Sequence, residues 1–317
     1  MPPIASSSTT DADDTLRDSP AAAGTATDRV LVYLPGTVDP DGGAGDGLRH
    51  SPRDVPAGVP GHAEPVIGAG FHGWRWEVPA GGGSARPAPE ALPEAAAVAV
   101  VPAPIAAAWP KMLVMDVDST LIRQEVIELL AAHAGREAEV AAVTEAAMRG
   151  ELDFAQSLHH RVEALAGLPA SVIDEVVAAV EPQHGAREVI DAFRGAGWEV
   201  CAVSGGFTQV LAPLAEDLGL SRYRANDLEI EDGRLTGRVL GTVVDRAVKA
   251  RMLREWAQAA GVPAAGVIAA GDGANDIDML EAAGLAVAFC AKPALREHAD
   301  VELDLPTLDV IRVLAGL

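Results

Sequence analysis

Met112-Leu113-Val114-Met115-Asp116-Val117-Asp118-Ser119-Thr120-Leu121 is the stretch on which the reading of this chain turns. Its first four residues form an uninterrupted apolar run, the pattern of a strand buried on both faces in a parallel sheet. The run ends in two carboxylates and two hydroxyls, and open α/β folds bind ligands at the carboxyl ends of their strands. Asp116 can act as a carboxylate nucleophile that accepts a phosphoryl group. Asp118 can protonate the leaving oxygen and later deprotonate an attacking water. Two neighbouring carboxylates repel each other unless a cation lies between them, which implies a hard, oxygen-seeking Mg²⁺. The same residues also suit a plain turn and helix N-cap, so the partners downstream decide between the two.

Working outward from there, Val126, Leu129 and Leu130 recur at helical spacing between Glu125 and His133, and a helical series continues to about Val180. A helix over Gly185 to Gly197 follows, then a strand over Trp198 to Val203 that ends at Ser204-Gly205-Gly206. Further strands are expected at Val267 to Ala270, ending at Gly271-Asp272-Gly273, and at Leu285 to Phe289. This alternation predicts an α/β fold with a Rossmann-like parallel sheet covered by helices on both faces. The helical insert after the first strand is too long for an ordinary connection and predicts a separate cap at about 126–185. Asp232-Gly233 predicts the turn of a hairpin near Ile230 to Val239.

Residues 1–28, rich in Ser, Thr, Asp, Ala and Gly, are expected to form a disordered tail. Residues 29–110 predict a small α+β module, with strands at Val30 to Leu34 and Ala96 to Val101 and a loop-forming span that includes Gly42-Gly43 and Gly81-Gly82-Gly83. Ligand sensing and packing or homodimer formation are both open for this module. Residues 111–317 make up the main domain.

The chain has 317 residues, 46 acidic against 24 basic, and a formal charge of -22, which argues against nucleic acid or an anionic membrane surface as a partner. Cys201 and Cys290 each end or lie within an apolar run and are expected to be buried thiols in a reducing cytoplasm. The start of the sequence has no early basic cluster and no apolar core of a secretory signal. The longest apolar stretch, Ala95 to Trp109, is too short to cross a membrane and is broken by Pro102 and Pro104.

Three more segments carry chemistry. Ser204-Gly205-Gly206 offers a hydroxyl and closely approaching backbone amides to phosphate oxygens. Lys249, at an expected helix start, could neutralise a nucleophile and a transferred phosphoryl group; by spacing alone it is equally a solvated surface lysine. Gly271-Asp272-Gly273-Ala274-Asn275-Asp276 is a strand-ending acidic cluster with further ligands for Mg²⁺, and it is too short for a helix–loop–helix calcium site.

In order along the chain, Asp116-Val117-Asp118-Ser119-Thr120, Ser204-Gly205-Gly206-Phe207, Lys249 and Gly271 to Asp276 resemble the four motifs of haloacid dehalogenase superfamily phosphatases. Met148-Arg149-Gly150-Glu151-Leu152-Asp153-Phe154, with Ser157-Leu158 and Arg161-Val162, is similar to the cap of the phosphoserine phosphatase family. Ala288 to Pro293 resembles the same family, and the likeness extends over about Lys111 to Leu317. It implies hydrolysis of O-phospho-L-serine through an aspartyl phosphate, the last step of L-serine biosynthesis. Asp116 would be the nucleophile and Asp118 the general acid and base. Mg²⁺ would be held by the Asp116 carboxylate, the Asp118 main-chain carbonyl and Asp272, with Asp276 in support. Ser204, Gly205, Lys249 and Asn275 would hold the phosphate, Glu125 the substrate ammonium and Arg161 its carboxylate, while Met148 and Phe154 close over the serine. A zwitterion does need one anion and one cation, and the Arg fork suits a carboxylate, although without the family pattern Glu125 and Arg161 read as a solvated helix face. Val117 and His159-His160 depart from the pattern, and the histidines leave the cap less positive. A related phosphatase or phosphotransferase acting on another small metabolite is the alternative. So is a non-catalytic phospho-ligand sensor, against which the intact Asp116, Asp118, Lys249 and Asp272 argue.

Overall fold

The computed structural model describes residues 26–36, 55–56, 58–81, 87, 91–93, 95–148 and 153–317, with the side chains of 145–148 outside that description. Residues 1–25 of the expected tail, Gly42-Gly43, Gly82-Gly83 and Arg149 to Leu152 therefore lie outside the described residues.

The N-terminal module is a four-stranded antiparallel sheet of β1 (Thr27–Pro35), β2 (Glu64–Gly68), β3 (Phe71–Pro79) and β4 (Ala97–Val101) in the order β2-β3-β1-β4. Sequence reading anticipated β1 and β4 but not the β2–β3 hairpin, whose short strands lie within Gly- and Pro-rich surroundings. β1 also starts two residues before the expected boundary at residue 29. Alternation along the strands divides the sheet into two faces. Val30, Val32, Trp74 and Trp76 form a cluster of their own with Val59. Leu31, Tyr33, Phe71, Ala99 and Val101 instead join the core of the main domain. A short helix, α1 (Ala103–Ala106), leads out of the module.

The main domain opens with β5 (Met112–Met115), all four residues of which are fully buried. The cap follows as α2 (Val126–Ala134), α3 (Glu137–Met148), α4 (Phe154–Glu163) and α5 (Val172–Ala179). The chain then returns through α6 (Ala186–Gly195), β6 (Glu199–Phe207), α7 (Thr208–Leu218), β7 (Arg222–Glu231) and β8 (Arg234–Leu240). The remaining elements are α8 (Arg246–Ala260), β9 (Val267–Gly271), α9 (Ile277–Glu281), β10 (Leu285–Phe289), α10 (Pro293–Arg296), β11 (Val301–Leu303) and α11 (Val310–Ala315). Seven strands make one sheet in the order β11-β10-β9-β5-β6-β7-β8, parallel except for the edge strand β8. Leu113 and Met115 face the core shared with α6, α7 and α11, while Met112 and Val114 face the core under α8 and α9. The Rossmann-like core, the helical cap and the hairpin turning at Asp232-Gly233 are as the sequence predicts.

Among the described residues, main-chain hydrogen bonds hold the cap at its neck and along β8, and α5 packs beside α7. The cap's outgoing and returning segments pair at the neck, with an Ile122–Pro182 bridge, Arg123 N–H donating to Glu181 O (3.1 Å) and Gln183 N–H donating to Leu121 O (2.8 Å). On the far side the loop after α4 lies along β8, with Gly167 N–H donating to Leu235 O (2.8 Å) and Leu235 N–H to Leu168 O (2.9 Å). An Asp153–Gln156 capping box fixes the start of α4.

One sequence expectation needs correction. Cys201 is buried in β6, but Cys290 is exposed, because it stands one residue past the end of β10 with a left-handed φ of 44° that turns it away from the core.

The N-terminal sheet is fastened to the main domain by buried Asp309, whose carboxylate accepts from Ala69 N–H (2.9 Å) at the β2–β3 turn and from Arg312 Nε (2.8 Å). Thr307 Oγ1 donates to Ala69 O (2.6 Å) alongside. Asp309→Ala would strand both donors, and we expect a loss of about 2–3 kcal/mol of unfolding free energy. Urea unfolding with an unchanged m-value checks this; a loss below about 0.5 kcal/mol, the ordinary scatter of surface changes, would show the junction to be loose.

Candidate active site

β5 makes its last ladder contact when Asp116 N–H donates to Ala270 O (2.9 Å) on β9. The chain then leaves the sheet edge through a turn over Val117–Leu121 in which Ser119 takes a left-handed φ of 57°, a conformation sparsely populated by non-glycine residues. The turn brings Ser119 Oγ to Glu125 Oε1 at 2.7 Å, which orients the Glu125 carboxylate. The Asp116 carboxylate accepts from Val117 N–H (2.7 Å) and from Lys249 Nζ (2.7 Å) through Oδ1, and from Asn275 Nδ2 (3.3 Å) through Oδ2.

Lys249 is placed by α8, which Asp245 caps through Val248 N–H at 2.8 Å. Its side chain is wholly buried, with Nζ also 2.8 Å from Asp276 Oδ1. Burial opposes the charge on this ammonium, but Asp116 and Asp276 together overcome that and hold it protonated.

β9 ends at Gly271, where a Cβ would come within 2.5 Å of the Asp276 carboxylate carbon, so only glycine allows the loop to fold back this tightly. Gly273 N–H donates to Asp276 Oδ2 (3.1 Å). In this way one carboxylate oxygen from each of Asp116, Asp272 and Asp276 comes within 4.8 Å of the others. Three buried carboxylates offering hard oxygens fit a Mg²⁺ ion. Asp276, expected in a supporting place, stands in this cluster itself, while Asp118 was expected to contribute its main-chain carbonyl. Burial, then the charge of Asp116, raises the Asp272 pKa, and Lys292 Nζ at 3.2 Å counters this.

Asp118 differs from Asp116 two residues away. Part of the residue faces the cavity, but Oδ1 is enclosed and finds no hydrogen-bond partner among the described residues. Burial, followed by the charges of Glu125 and Asp116, raises its pKa well above the ordinary 3.8, with Lys249 and the Val126 N–H opposing. A carboxyl group shifted in this direction keeps its proton to higher pH than an ordinary carboxylate, which suits a general acid.

Ser204 Oγ accepts from Gly206 N–H (2.7 Å), leaving its own proton free to donate. A Cβ on Gly205 would lie 2.8 Å from Phe154 Cζ, and one on Gly206 would lie 3.1 Å from Asp118 Oδ2. Both glycines thus permit close approach of cap and acid. Buried Asn226 braces this loop, donating to Gly205 O (2.8 Å) and accepting from Val244 N–H (2.8 Å).

A cavity of about 730 Å³ lies between sheet edge and cap, and Asp116, Asp118, Glu125, Phe154, Arg161, Gly205, Asp272 and Asn275 all reach its wall. Ser204 and Lys249 are buried in the same cluster. Arg161 lies on α4, with Nε donating to Ser157 O (3.3 Å). Met148 ends α3, and its side chain lies outside the described residues.

The model of haloacid dehalogenase-like hydrolases matches residues 113–281 of the sequence. The chain belongs to that family. It is 60% identical over 220 residues to a phosphoserine phosphatase of Streptomyces coelicolor, an alignment covering 69% of this chain and 54% of the relative. To a phosphoserine phosphatase of Streptococcus thermophilus it is 47% identical, covering 64% of this chain and 95% of the relative. The chain thus spans about half the length of the Streptomyces and Mycobacterium tuberculosis relatives it matches (54% and 51%). Among solved structures, a substrate-bound phosphoserine phosphatase complex superposes with a TM-score of 0.61 at 41% identity, covering 63% of this chain and 96% of that one. A Salmonella enterica hydrolase of the same superfamily shares the fold over 90% of this chain and 98% of its own, with a TM-score of 0.71 at 24% identity.

Within this haloacid dehalogenase-like site, reading by motif assigns no role to four residues. Ser119 sits inside the first motif but acts by conformation. Asn226 is a polar residue within a strand. Lys292 and Arg246 reach the cavity from segments far along the chain. Lys292 did lie within the recognised run Ala288 to Pro293, and its charge beside an apolar strand end was the available clue.

The raised pKa of Asp118 gives a pH-dependent stability. Below about pH 3.8 Asp118 is protonated in both folded and unfolded chains and contributes nothing. As pH rises toward the folded-state value the unfolded chain ionises first, so stability is lost and the penalty is complete above that value. Asp118→Asn should therefore melt at a higher temperature than wild type at pH 8 in chelator, with the gain shrinking as pH falls and vanishing in the ordinary carboxylate range near about pH 3.5–4. A constant difference across that range would contradict the assignment.

Proposed function

We propose that this chain hydrolyses O-phospho-L-serine to L-serine and phosphate, the last step of L-serine biosynthesis, with Mg²⁺ as cofactor and in the cytoplasm. The observation that carries this reading is that an anion, Glu125, and a cation, Arg161, both line the cap side of a cavity floored by Asp116 and Asp118. An amino-acid zwitterion needs that pair, and the floor supplies the chemistry for its phosphate ester. The relatives named phosphoserine phosphatase, and the phosphoserine phosphatase structure trapped as a phospho-aspartyl intermediate analogue (TM-score 0.60, 41% identity), support it. Among the described residues no helix is long and apolar enough to cross a membrane.

In this reading the Asp116 carboxylate attacks phosphorus and the serine oxygen leaves, taking the proton that the enclosed Asp118 carboxyl holds. Asp118, now ionised, removes a proton from a water whose oxygen attacks the acyl phosphate and releases phosphate, restoring both aspartates. Lys249 lies against the nucleophile, where its fixed charge offsets negative charge gathering on the phosphoryl oxygens. Ser204, the Gly205 amide and Asn275 orient those oxygens. Phe154, in close contact with Gly205, shields the acyl phosphate from bulk water. Asp116, Asp272 and Asp276 would hold Mg²⁺, which when bound supplies positive charge to the transferring phosphoryl group.

The test is phosphate release from L-phosphoserine, phosphothreonine and an aromatic phosphate, with and without Mg²⁺. Phosphoserine should be strongly preferred, and chelator should abolish release. Asp116→Asn should lower kcat by about a thousandfold or more. Arg161→Ala should raise KM for phosphoserine about tenfold or more, as expected for loss of a charged hydrogen bond. Equal rates on all three esters would sink the serine assignment; no release from any would leave a phospho-ligand binder.

A further inference from the structure

We infer that Lys292 is a displaceable counterion of Asp272 that competes with the divalent cation and weakens its binding. The inference rests on the Mg²⁺ part of the reading above, and concerns how tightly this particular site holds the ion.

Two lysines face the acidic floor, and they are built differently. Lys249 is sealed, with its side chain fully buried and its ammonium between two carboxylates at 2.7 and 2.8 Å. Lys292 reaches Asp272 Oδ2 at 3.2 Å with 58% of its side chain exposed, against 10% for Asp272. Its backbone is fixed, since Lys292 N–H donates to Asp272 O (2.8 Å) and Pro293 begins α10 immediately after. The Cα is therefore pinned beside the acidic cluster while four methylenes leave the ammonium free to swing within the cavity.

Asp272 is one of the three carboxylates whose oxygens converge within 4.8 Å. A divalent cation placed there meets an ammonium already paired with one of its ligands. The two positive charges repel, and either the Asp272–Lys292 contact opens or the cation is held less tightly. Opening is accessible because the pair is on the cavity wall and not in the core. The displaced ammonium stays among acidic neighbours, with Glu125 and Asp116 the next charges it senses. Without the cation, Lys292 offsets the surplus of carboxylates that Lys249 alone leaves unbalanced. The residue thus trades metal affinity for integrity of the empty floor.

Calorimetric titration of the full chain with Mg²⁺ and no substrate, beside thermal melts in chelator and in saturating Mg²⁺, tests this in wild type, Lys292→Met and Lys292→Arg. Lys292→Met should bind Mg²⁺ about two- to fivefold more tightly, the range that an exposed ion pair supports. It should melt lower than wild type in chelator and match it in saturating Mg²⁺. Lys292→Arg, which keeps the charge, should stay near wild type in both readouts. Unchanged or weaker Mg²⁺ binding by Lys292→Met would overturn the inference, as would an equal melting deficit with and without Mg²⁺. Absence of any Mg²⁺ binding by wild type would instead overturn the metal assignment itself, and the inference with it.

Discussion

The ammonium of Lys249, buried between Asp116 and Asp276, is the contact on which the rest of the site depends. It joins the end of β5, the loop after β9 and the first turn of α8, three segments that are far apart in sequence. A charge removed from water is costly unless it is paired and hydrogen-bonded, so none of the three can shift without exposing an uncompensated group. The fixed position of Asp116 follows, with Oδ1 committed to Lys249 and Val117 and Oδ2 left facing Asn275 and the cavity. The environment then separates two aspartates of identical chemistry. Asp116 lies against a cation, while Asp118 Oδ1 has no partner among the described residues and burial raises its pKa.

Charge on the whole molecule and charge in the site act over different distances. The formal charge of -22 disfavours polyanionic partners, while the cavity sets Arg161, Arg246 and Lys292 among the carboxylates of Asp116, Asp118, Glu125, Glu128 and Asp272. Screening over roughly 10 Å at moderate salt makes these nearby groups, and not the distant surface, decide what enters.

Much of the main domain was legible because burial on both faces leaves a plain mark, an unbroken apolar run. Met112 to Met115, Val267 to Ala270 and Leu285 to Phe289 all carry it and all are sheet strands. Carboxylates placed just after such runs are brought together by topology, so Asp116, Asp118 and Asp272 could be grouped before any coordinates. The rest was hidden for identifiable reasons. β6 continues through Gly205-Gly206 to Phe207, where glycines read as loop, because their missing side chains make room for Phe154 and Asp118. The β2–β3 hairpin lies in a stretch whose composition signals turns. Asn226, Lys292 and Ser119 act through backbone carbonyls, distant carboxylates and a left-handed φ, none of which is encoded by local spacing.

The cap meets the rest of the protein at its neck, along β8 and where α5 packs beside α7, and the contacts at the neck and β8 include hydrogen bonds between main-chain groups. Main-chain bonds do not depend on which side chains flank them. The exposed residues of α2 to α5 can therefore change without loosening those main-chain bonds, whereas buried Leu130, Val162 and Val176, packed into the main core, cannot. The segment between residues 122 and 182 thus enters and leaves the main domain at one neck. In that sense the cavity is assembled from two parts of separate origin in the chain, a floor of carboxylates set by the sheet edge and a roof set by the inserted helices.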